Sequence, residues 1–595
     1  FLRVDGDGTS SWQVPPDTTY SVQDGQLSQN NFTDADHSKL DGIATSANNY
    51  SISADLLDQD NMSSNSSSKV PSQQSVKAYV DTQVGGISAA PEVSLVADGA
   101  IAANKPVAVQ SDGKIKEVKE TITVHSTPTK VPSGSTTSAN YSSSNSYHNA
   151  NCYSRKHKAI IQVRVDRDNN DYGYIRAGIM AADGSISWGT QRLLANGSGS
   201  YDLWYPAVAY DSTNDKVLVV YKDSSSASSG NVRADTLSIS GNELTVINHS
   251  IPLYGHNQYM KYYKLKYDAT HDRFWLSWQM DYSSANYNGY YYSVVPDYST
   301  GASAHTLTTY SSNGKYDHST SGHDYHNFAI NTANDRLVSC YRDKANNYVY
   351  VSASSINSSG ALYHVNVNLQ LSTAQWLSFT GIAYSPDADK WLAIYSANSN
   401  IKGRVLTITG SGSSTSISAG TEASLVSYGT YSNIVYDTSI NAFAIVYGNG
   451  SGHPHVTYAT ISGTTVSAGN ELQLDNDNFQ GTQDRQANNV SFDSYRNRVY
   501  YHFPKSGNTQ YVTISGGTAT TTLSDSFIGF SSAAINDTAT GTIGVTGNTN
   551  SSQSGLTAGS KHYVQRDGSL GTTADDDIPV EAGVALSSTK LLIKG

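Results

Sequence analysis

The stretch VAYDSTNDKVLVVY, Val208–Tyr221, decides the fold. Val208 and Tyr210 alternate with smaller residues, the period of a strand with one buried face. Asp211, Asn214 and Asp215 bring turn chemistry, and a second apolar run then closes on Tyr221. The phrase reads as a two-stranded hairpin. It returns as NCYSRKHKAIIQV (Asn151–Val163), LKYDATHDRFWLSW (Leu265–Trp278), FAINTANDRLVSCY (Phe328–Tyr341), IAYSPDADKWLAIY (Ile382–Tyr395), IVYDTSINAFAIVY (Ile434–Tyr447) and VSFDSYRNRVYYHF (Val490–Phe503).

The residue after the first strand serves as an anchor: Ser154, Asp211, Asp268, Asn331, Ser385, Asp437 and Asp493. Consecutive anchors lie 57, 57, 63, 54, 52 and 56 residues apart. Four strands of about 5–6 residues with their turns need this much chain. Solenoid coils, with periods of roughly 20–30 residues, fit badly. The expected fold is all-β, a seven-bladed β-propeller. In six copies the second strand ends on an aromatic ten residues past the anchor: Tyr221, Trp278, Tyr341, Tyr395, Tyr447 and Phe503. These rings are expected to wedge between blades. The anchor Asp is expected to cap its own turn and to carry no catalysis.

At 595 residues the chain is long enough for several domains. Only 15% of residues are charged, and 42 are Tyr against 4 Met. A net charge of −12 argues against nucleic acid or anionic membrane as partner. No run of about 18 apolar residues is present to span a bilayer. The chain begins at Phe1 and shows no secretory signal, and a preceding portion is expected. Cys152 and Cys340 fall in the first and fourth repeats, too far apart to be expected to pair.

Residues 1–90 differ in character. NFTDADHSKLDGIATSANNY (Asn31–Tyr50) and KVPSQQSVKAYVDTQVGG (Lys69–Gly86) read as short helices. In the second, Ser72 is an N-cap, Val76, Val80 and Val84 form one stripe, and Gly85-Gly86 is expected to end it. One narrow stripe cannot stabilise a lone short helix, so packing against copies of itself is expected.

The phrases FTDADHSKLDGIA and VPSQQSVKAYVDTQV resemble stalk modules of tailed-bacteriophage tail fibres, and FLRVDGDGTSSWQV resembles fibre sequence less distinctively. The resemblance covers about 35 residues. It implies a homotrimeric virion protein, assembled in the host cytoplasm and acting outside the cell in host attachment. The tail, from FIGFSSAAINDTATGTIGV to the C-terminus, resembles β-modules of phage virion proteins.

A second echo brackets the repeats. NKPVAVQSDGKI (Asn104–Ile115) and GSKHYVQRDGSL (Gly559–Leu570) share V-Q-x-D-G, with an Asp-Gly hairpin signal in each. The expected division is therefore a fibre stalk over 1–90, a split β-domain from 91–120 plus 524–595, and a propeller inserted at 121–523. Adjacent termini suit such an insertion. The stretch AAINDTATGTIGV is the alternative, an eighth blade, although it lies only 43 residues past Asp493 and lacks a closing aromatic.

Within a blade, the turns between first and second strands share one side. The second-to-third and blade-to-blade connections share the other, and here these vary in length and carry aromatics. LYGHNQYMKYY (Leu253–Tyr263) and DYSSANYNGYYY (Asp281–Tyr292) are the richest. The candidate receptor-binding residues are Tyr254, His256, Tyr259, Asp281, Tyr282, Asn286, Tyr287, Tyr290, Tyr316 and Tyr325, with Tyr201, Trp204 and Tyr205 on an earlier connection. Tyrosine beside Asn, Asp and Ser suits sugars, and it suits protein surfaces equally. The expected function is adhesion to a host cell-surface receptor, a glycan first and an outer-membrane protein second, alongside contacts with other phage tail proteins. Weak sites linked in a trimer gain about 10²–10⁴ in avidity where spacing permits.

Two alternatives stay open: a structural or adaptor fibre protein, and a polysaccharide-degrading glycosidase spike. A glycosidase needs two carboxylates about 5–9.5 Å apart. Asp166, Asp171, Asp281, Asp317 and Asp324 sit near the loop face, and spacing alone does not bring any two together. AADGSISW (Ala181–Trp188) departs from the S-x-D-x-G-x-x-W box that sialidases carry. No catalytic residue is assigned and no enzyme activity is expected. His318, His323, His326, His453 and His455 are read as polar loop residues, not metal ligands, and no cofactor is expected.

Overall fold

The computed structural model describes residues 2–4, 6–12, 34–36, 38–39, 55–61, 63–64, 66–87, 91–132, 137–138, 146–166, 171–194, 202–224, 231–254, 260–280, 291–309, 323–373, 378–476, 489–505, 508–521, 526–565, 567–572, 574 and 580–594. Two units, Phe1–Glu92 and Val93–Gly595, are described separately.

The larger unit is all-β. Each repeat folds as an antiparallel meander whose strands pair in chain order. The second sheet is representative: Asp202–Asp211, Lys216–Ser224, Asn231–Ser240 and Glu243–Tyr254. The first strands of the seven sheets are Ser146–Ser154, Asp202–Asp211, Met260–Asp268, His323–Asn331, Ser378–Ser385, Gly429–Asp437 and Val490–Asp493. Each lies beside the next, and the seventh lies beside the first.

The hairpins explain why the phrase repeats. Four residues past every anchor the backbone turns left-handed: Lys158, Asp215, Asp272, Asp335, Asp389, Asn441 and Asn497, with φ between 47° and 58°. Asp and Asn tolerate that conformation better than other residues with a Cβ, so the turn selects them. The anchor side chain holds the same turn from the other end. Asp211 accepts the Thr213 and Asn214 amides at 3.0 and 2.8 Å, and Asp493 accepts those of Tyr495 and Arg496 at 2.9 and 3.1 Å. The anchors are caps.

Apolar clusters fill every gap between consecutive sheets. Ile161 and Val219 share the first with their neighbours, Leu218 and Phe274 the second, Trp275 and Phe328 the third. Cys340 and Trp391, Leu392 and Phe443, and Val446 and Val512 belong to the next three. Ile160 and Tyr500 then join the first sheet to the last. Each fully buried side chain of this size stabilises by roughly 1.5–3 kcal/mol, so the sheets cohere by stacking face to face. The closing tyrosines Tyr221, Tyr341 and Tyr395 are wholly buried, and their hydroxyls donate to Asp235, Asn368 and Glu422. This sheet-on-sheet stacking in a closed succession fits a β-propeller.

The seventh sheet is composite. Its fourth strand is Glu120–Lys130, which pairs antiparallel with Asn508–Thr521 from the far end of the repeat region. Ordinary sequence adjacency is broken there, and the hydrogen bonds close the succession where chain connectivity cannot.

Both flanks of the repeats meet in one further sheet. Pro106–Val109 pairs with Phe527–Ser531, beside Glu92–Val96, Ile115–Glu117 and Thr540–Gly544. The stretch weighed as an eighth phrase therefore supplies a strand to this sheet. A second sheet carries Lys561–Val564, Glu581–Ala585 and Leu591–Ile593, and Ala108, Phe530, Val564 and Leu591 share a core. The V-Q-x-D-G echo is also geometric. The Gly113 amide reaches the Gln110 carbonyl at 3.0 Å and the Gly568 amide that of Gln565 at 2.9 Å, both glycines at φ +80°.

In the smaller unit a helix spans Gln73–Ile87. The Ser72 hydroxyl accepts the Ser75 amide at 2.9 Å, the capping contact expected of it. The helix continues through Gly85-Gly86 to Ile87 instead of stopping there, because glycine in a last turn weakens a helix without forbidding it. Val76, Tyr79 and Val80 are exposed on it. Among the described residues, no helix is long and apolar enough to cross a membrane.

Candidate functional site

Six of the first strands begin with a bulge. Pairing with the second strand slips between Ser146 and Asn149, Trp204 and Ala207, Lys261 and Lys264, Asp324 and Asn327, Ser378 and Thr380, and Thr430 and Asn433. A bulge re-aims the side chain within it. The residue so placed, six before each anchor, is His148, Tyr205, Tyr262, Tyr325, Phe379 or Tyr431. Ala487 stands there in the seventh repeat and lies outside the described residues.

The five six-carbon-ring side chains all sit at left-handed φ, from 49° at Tyr325 to 56° at Phe379. For a bulky residue this region costs roughly 1–2 kcal/mol, and its recurrence marks a position that packing over-determines. Neighbouring rings touch. Centroids are 4.5 Å apart for His148–Tyr205 and 4.8 Å for Tyr205–Tyr262. They are 4.9 Å apart for Tyr325–Phe379 and 4.7 Å for Phe379–Tyr431. The result is two aromatic arcs on the side of the sheets where the variable connections enter. Tyr262, Tyr325 and Tyr431 are half-buried, whereas Tyr205 and Phe379 are buried. The Arg342 guanidinium lies 4.5 Å over the Tyr325 ring while pairing with Asp324.

Of the residues expected from sequence to bind, Tyr205 stands in the first arc and Tyr325 in the second. Tyr254 instead packs between the second and third sheets, 5.8 Å from Trp278 and 6.1 Å from Tyr292. Trp204 leans on Tyr205 at 5.9 Å. His256, Tyr259, Asp281, Tyr282, Asn286, Tyr287, Tyr290, Tyr316 and Tyr201 lie outside the described residues. His148, Tyr262, Phe379 and Tyr431 were missed, although an aromatic column six before the anchor was there to be read.

Below the arcs, the first strands of all seven sheets enclose a cavity of about 310 Å³. At its hairpin end, tyrosines one before the anchor are pinned by the left-handed Asp of the turn. Tyr210 donates to Asp215 at 2.8 Å, Tyr267 to Asp272 at 2.7 Å and Tyr384 to Asp389 at 2.8 Å. Burial alone would raise Asp215, yet hydrogen bonds from Lys156, Tyr210 and His157 outweigh it and hold the carboxyl down at about 2. Burial raises the Cys152 thiol to about 12, so that thiol is inert, and Cys340 is likewise free and pushed up.

Two of the five acids near the loop face are held by arginines. Asp166 is buried 3.4 Å from Arg164, and Asp324 accepts the Arg342 Nε at 2.5 Å. Asp171 sits at φ +53° at the start of a strand, and Asp281 and Asp317 lie outside the described residues. AADGSISW forms a hairpin whose Trp188 packs on Tyr500, Tyr511 and the Arg176 guanidinium between the first and seventh sheets. His323 and His326 are buried with rings 5.7 Å apart, and His455 Nδ1 faces the His453 carbonyl at 3.0 Å. Among the described residues no group of three His, Cys, Asp or Glu could hold a metal ion.

No protein-family description and no curated protein sequence matches this chain. Among solved structures, it is similar to the periplasmic gluconolactonase PpgL of Pseudomonas aeruginosa at 10% identity and a TM-score of 0.38, over 64% of this chain and 96% of that one. It is also similar to NanB in complex with Optactamide at 8% identity and a TM-score of 0.34, over 53% and 67% of the two chains. Likeness at this level carries no argument about activity.

Proposed function

We propose that the seven sheets are the blades of one seven-bladed β-propeller, and that the protein is a phage tail-fibre adhesin binding a cell-surface glycan. Residues 1–90 would form a trimeric stalk, and 91–120 with 524–595 a split β-domain carrying the ring. The phrases FTDADHSKLDGIA and VPSQQSVKAYVDTQV support the fibre reading through their resemblance to stalk modules, and the exposed Val76, Tyr79 and Val80 support self-association.

The observation that carries the binding reading is the aromatic arc. Half-buried Tyr262 and Tyr431 offer the accessible parts of their rings to sugar C–H groups, with Tyr325 capped by Arg342 between them, all three on backbone strained into one repeated geometry. Strain maintained in this way suits a pre-organised binding face. Adhesion needs no bond cleavage, and Asp166 and Asp324 are committed to arginines.

The test is retention of the full chain on a panel of bacterial cells: untreated, protease-shaved, or oxidised with periodate, which cleaves vicinal diols. Glycan binding survives protease and is lost after periodate. The reverse pattern means a protein receptor. Tyr262→Ser and Tyr431→Ser are each expected to weaken retention at least tenfold, and unchanged retention in both removes the arc from the reading.

A further inference from the structure

The fifth and sixth sheets meet at the tersest crossing on the loop face. Residues 427–428 join them, whereas the crossings between other consecutive sheets span residues 139–145, 194–201, 255–259, 310–322, 373–377 and 474–489. Inside these two sheets the second and third strands are joined by residues 398–399 and 450–453 alone. Asn398 and Ser399 both take left-handed φ, 51° and 64°, as a two-residue hairpin turn requires. With so little chain around it, Tyr428 stands 68% exposed. Among the described residues its ring meets no other ring and its hydroxyl no partner.

Folding supplies no reason for a tyrosine at this position. Its φ is +60°, which a residue with a Cβ adopts at a cost and glycine adopts freely. Burial of the ring offsets that cost at Tyr205 and Phe379, and Tyr428 has no such burial. The backbone is held there all the same. The Tyr428 amide donates to Asn400 Oδ1 at 3.2 Å, and the Gly429 amide donates to the Ser399 carbonyl at 2.6 Å. A strained residue whose side chain serves its own chain so little points to a role outside it.

Three residues on, Tyr431 repeats the left-handed geometry at φ 54°. Glycines of the sixth sheet lie against both tyrosines. A Cβ on Gly448 would stand 3.5 Å from the Tyr431 ring, and one on Gly450 would stand 3.4 Å from the Tyr428 Cβ. Alternate positions at one strand end thus carry no side chain, and each tyrosine lies against bare backbone. The short connections around them supply Asn398, Ser399, Ser427, Ser451 and His453, with no Asp, Glu, Lys or Arg.

We propose that Tyr428 and Tyr431 form a binding site for an uncharged pyranose segment, with the C–H face of a sugar ring on Tyr428 and its hydroxyls on the flanking turns. The proposal rests on the glycan reading of the loop face and names the sugar class taken at this part of it. An exposed ring beside amide and hydroxyl groups suits a sugar. Charge then selects among sugars. On a chain of net charge −12, an acidic sugar would find no cation on these connections to hold it. Tyr325, by contrast, lies beneath the Arg342 guanidinium.

The experiment measures retention of the full chain on bacterial cells that are untreated, protease-shaved or periodate-oxidised, with and without added sodium chloride. Parent retention is expected to survive protease, to be lost after periodate and to be indifferent to salt, which screens charge. Tyr428→Gly is expected to weaken retention about tenfold or more and to melt no lower than the parent, while Tyr428→Trp keeps retention. Retention by the parent that protease removes and periodate spares overturns the glycan reading and this site together, as does retention on no cell at all. Periodate-sensitive retention that Tyr428→Gly leaves unchanged overturns this site alone. A clearly lower melting temperature in Tyr428→Gly makes the ring structural, and loss of parent retention in salt makes the sugar a charged one; either result also overturns the proposal.

Discussion

Tyr205 and Tyr262 stand 57 residues apart and meet ring to ring at 4.8 Å, each at left-handed φ, 53° and 55°. Each lies in the opening bulge of its own sheet, so the contact is made by stacking two copies of one local geometry. A side chain tolerated in such backbone at a cost of roughly 1–2 kcal/mol is held by its neighbours.

That cost is separable from packing. Tyr431→Gly removes a half-buried ring and the left-handed penalty together, so its melting temperature is expected to stay within a few degrees of the parent. Phe379 is 4% exposed, and Phe379→Gly relieves the same penalty while losing about 3 kcal/mol or more of buried ring, so it is expected to melt clearly lower. Equal effects at the two positions contradict this account.

Asp215→Asn and Asp215→Ala divide charge from backbone. Asn keeps a residue that tolerates φ +58° and loses the charge on which Lys156, Tyr210 and His157 converge, at about 2 kcal/mol. Ala loses both and is expected to fall about 1 kcal/mol further in chemical denaturation. The carboxyl is held below its ordinary value. Its contribution is therefore present above about pH 4 and disappears as pH falls towards 2, and the Asn variant should lack that limb.

His326 and His502 are buried and held neutral. Burial lowers both well below the ordinary value, with His323 and Lys264 adding to it at His326, and Arg176 and Arg164 at His502. Below about pH 6.5 the unfolded chain takes up protons that the folded chain refuses, so stability falls with pH by up to about 1.4 kcal/mol per unit for each histidine. Asp437 runs the other way, since burial raises it to about 6 and its contribution is lost as pH rises through that value. Urea midpoints between pH 7.5 and 5 are expected to fall, and His502→Gln to flatten the slope.

Deletion of residues 1–131 removes Glu120–Lys130 and exposes the edge of Asn508–Thr521. The shortened chain is expected to aggregate on size exclusion, as an open sheet edge does. Starting the chain at residue 93 leaves that strand in place. This second truncation is expected to stay soluble and to sediment as one copy, and the intact chain is expected to sediment as three.

Most of the sheet architecture was legible. The seven anchors, their cap roles and the hairpins follow from Asp and Asn at fixed offsets, because a tight turn is a local backbone problem that side chains solve within five residues. The tyrosine-rich connections were legible only as composition. Tyr254 looks like Tyr325 in sequence, but one is wedged against Trp278 and the other stands in an arc beneath Arg342.

Two features were decided by tertiary structure. Glu120–Lys130 has nothing in its own composition that names Asn508–Thr521 as its partner, since a strand edge pairs with whichever edge the completed stack leaves open. The cavity likewise gathers Asn151, Lys266 and Ser491 from three sheets. By itself the sequence determined how each repeat turns and which face each strand buries, because those depend on neighbours within a few residues. Where the two flanks of the repeat region join, and which strands come to line one cavity, depended on long-range stacking of apolar faces that no local pattern records.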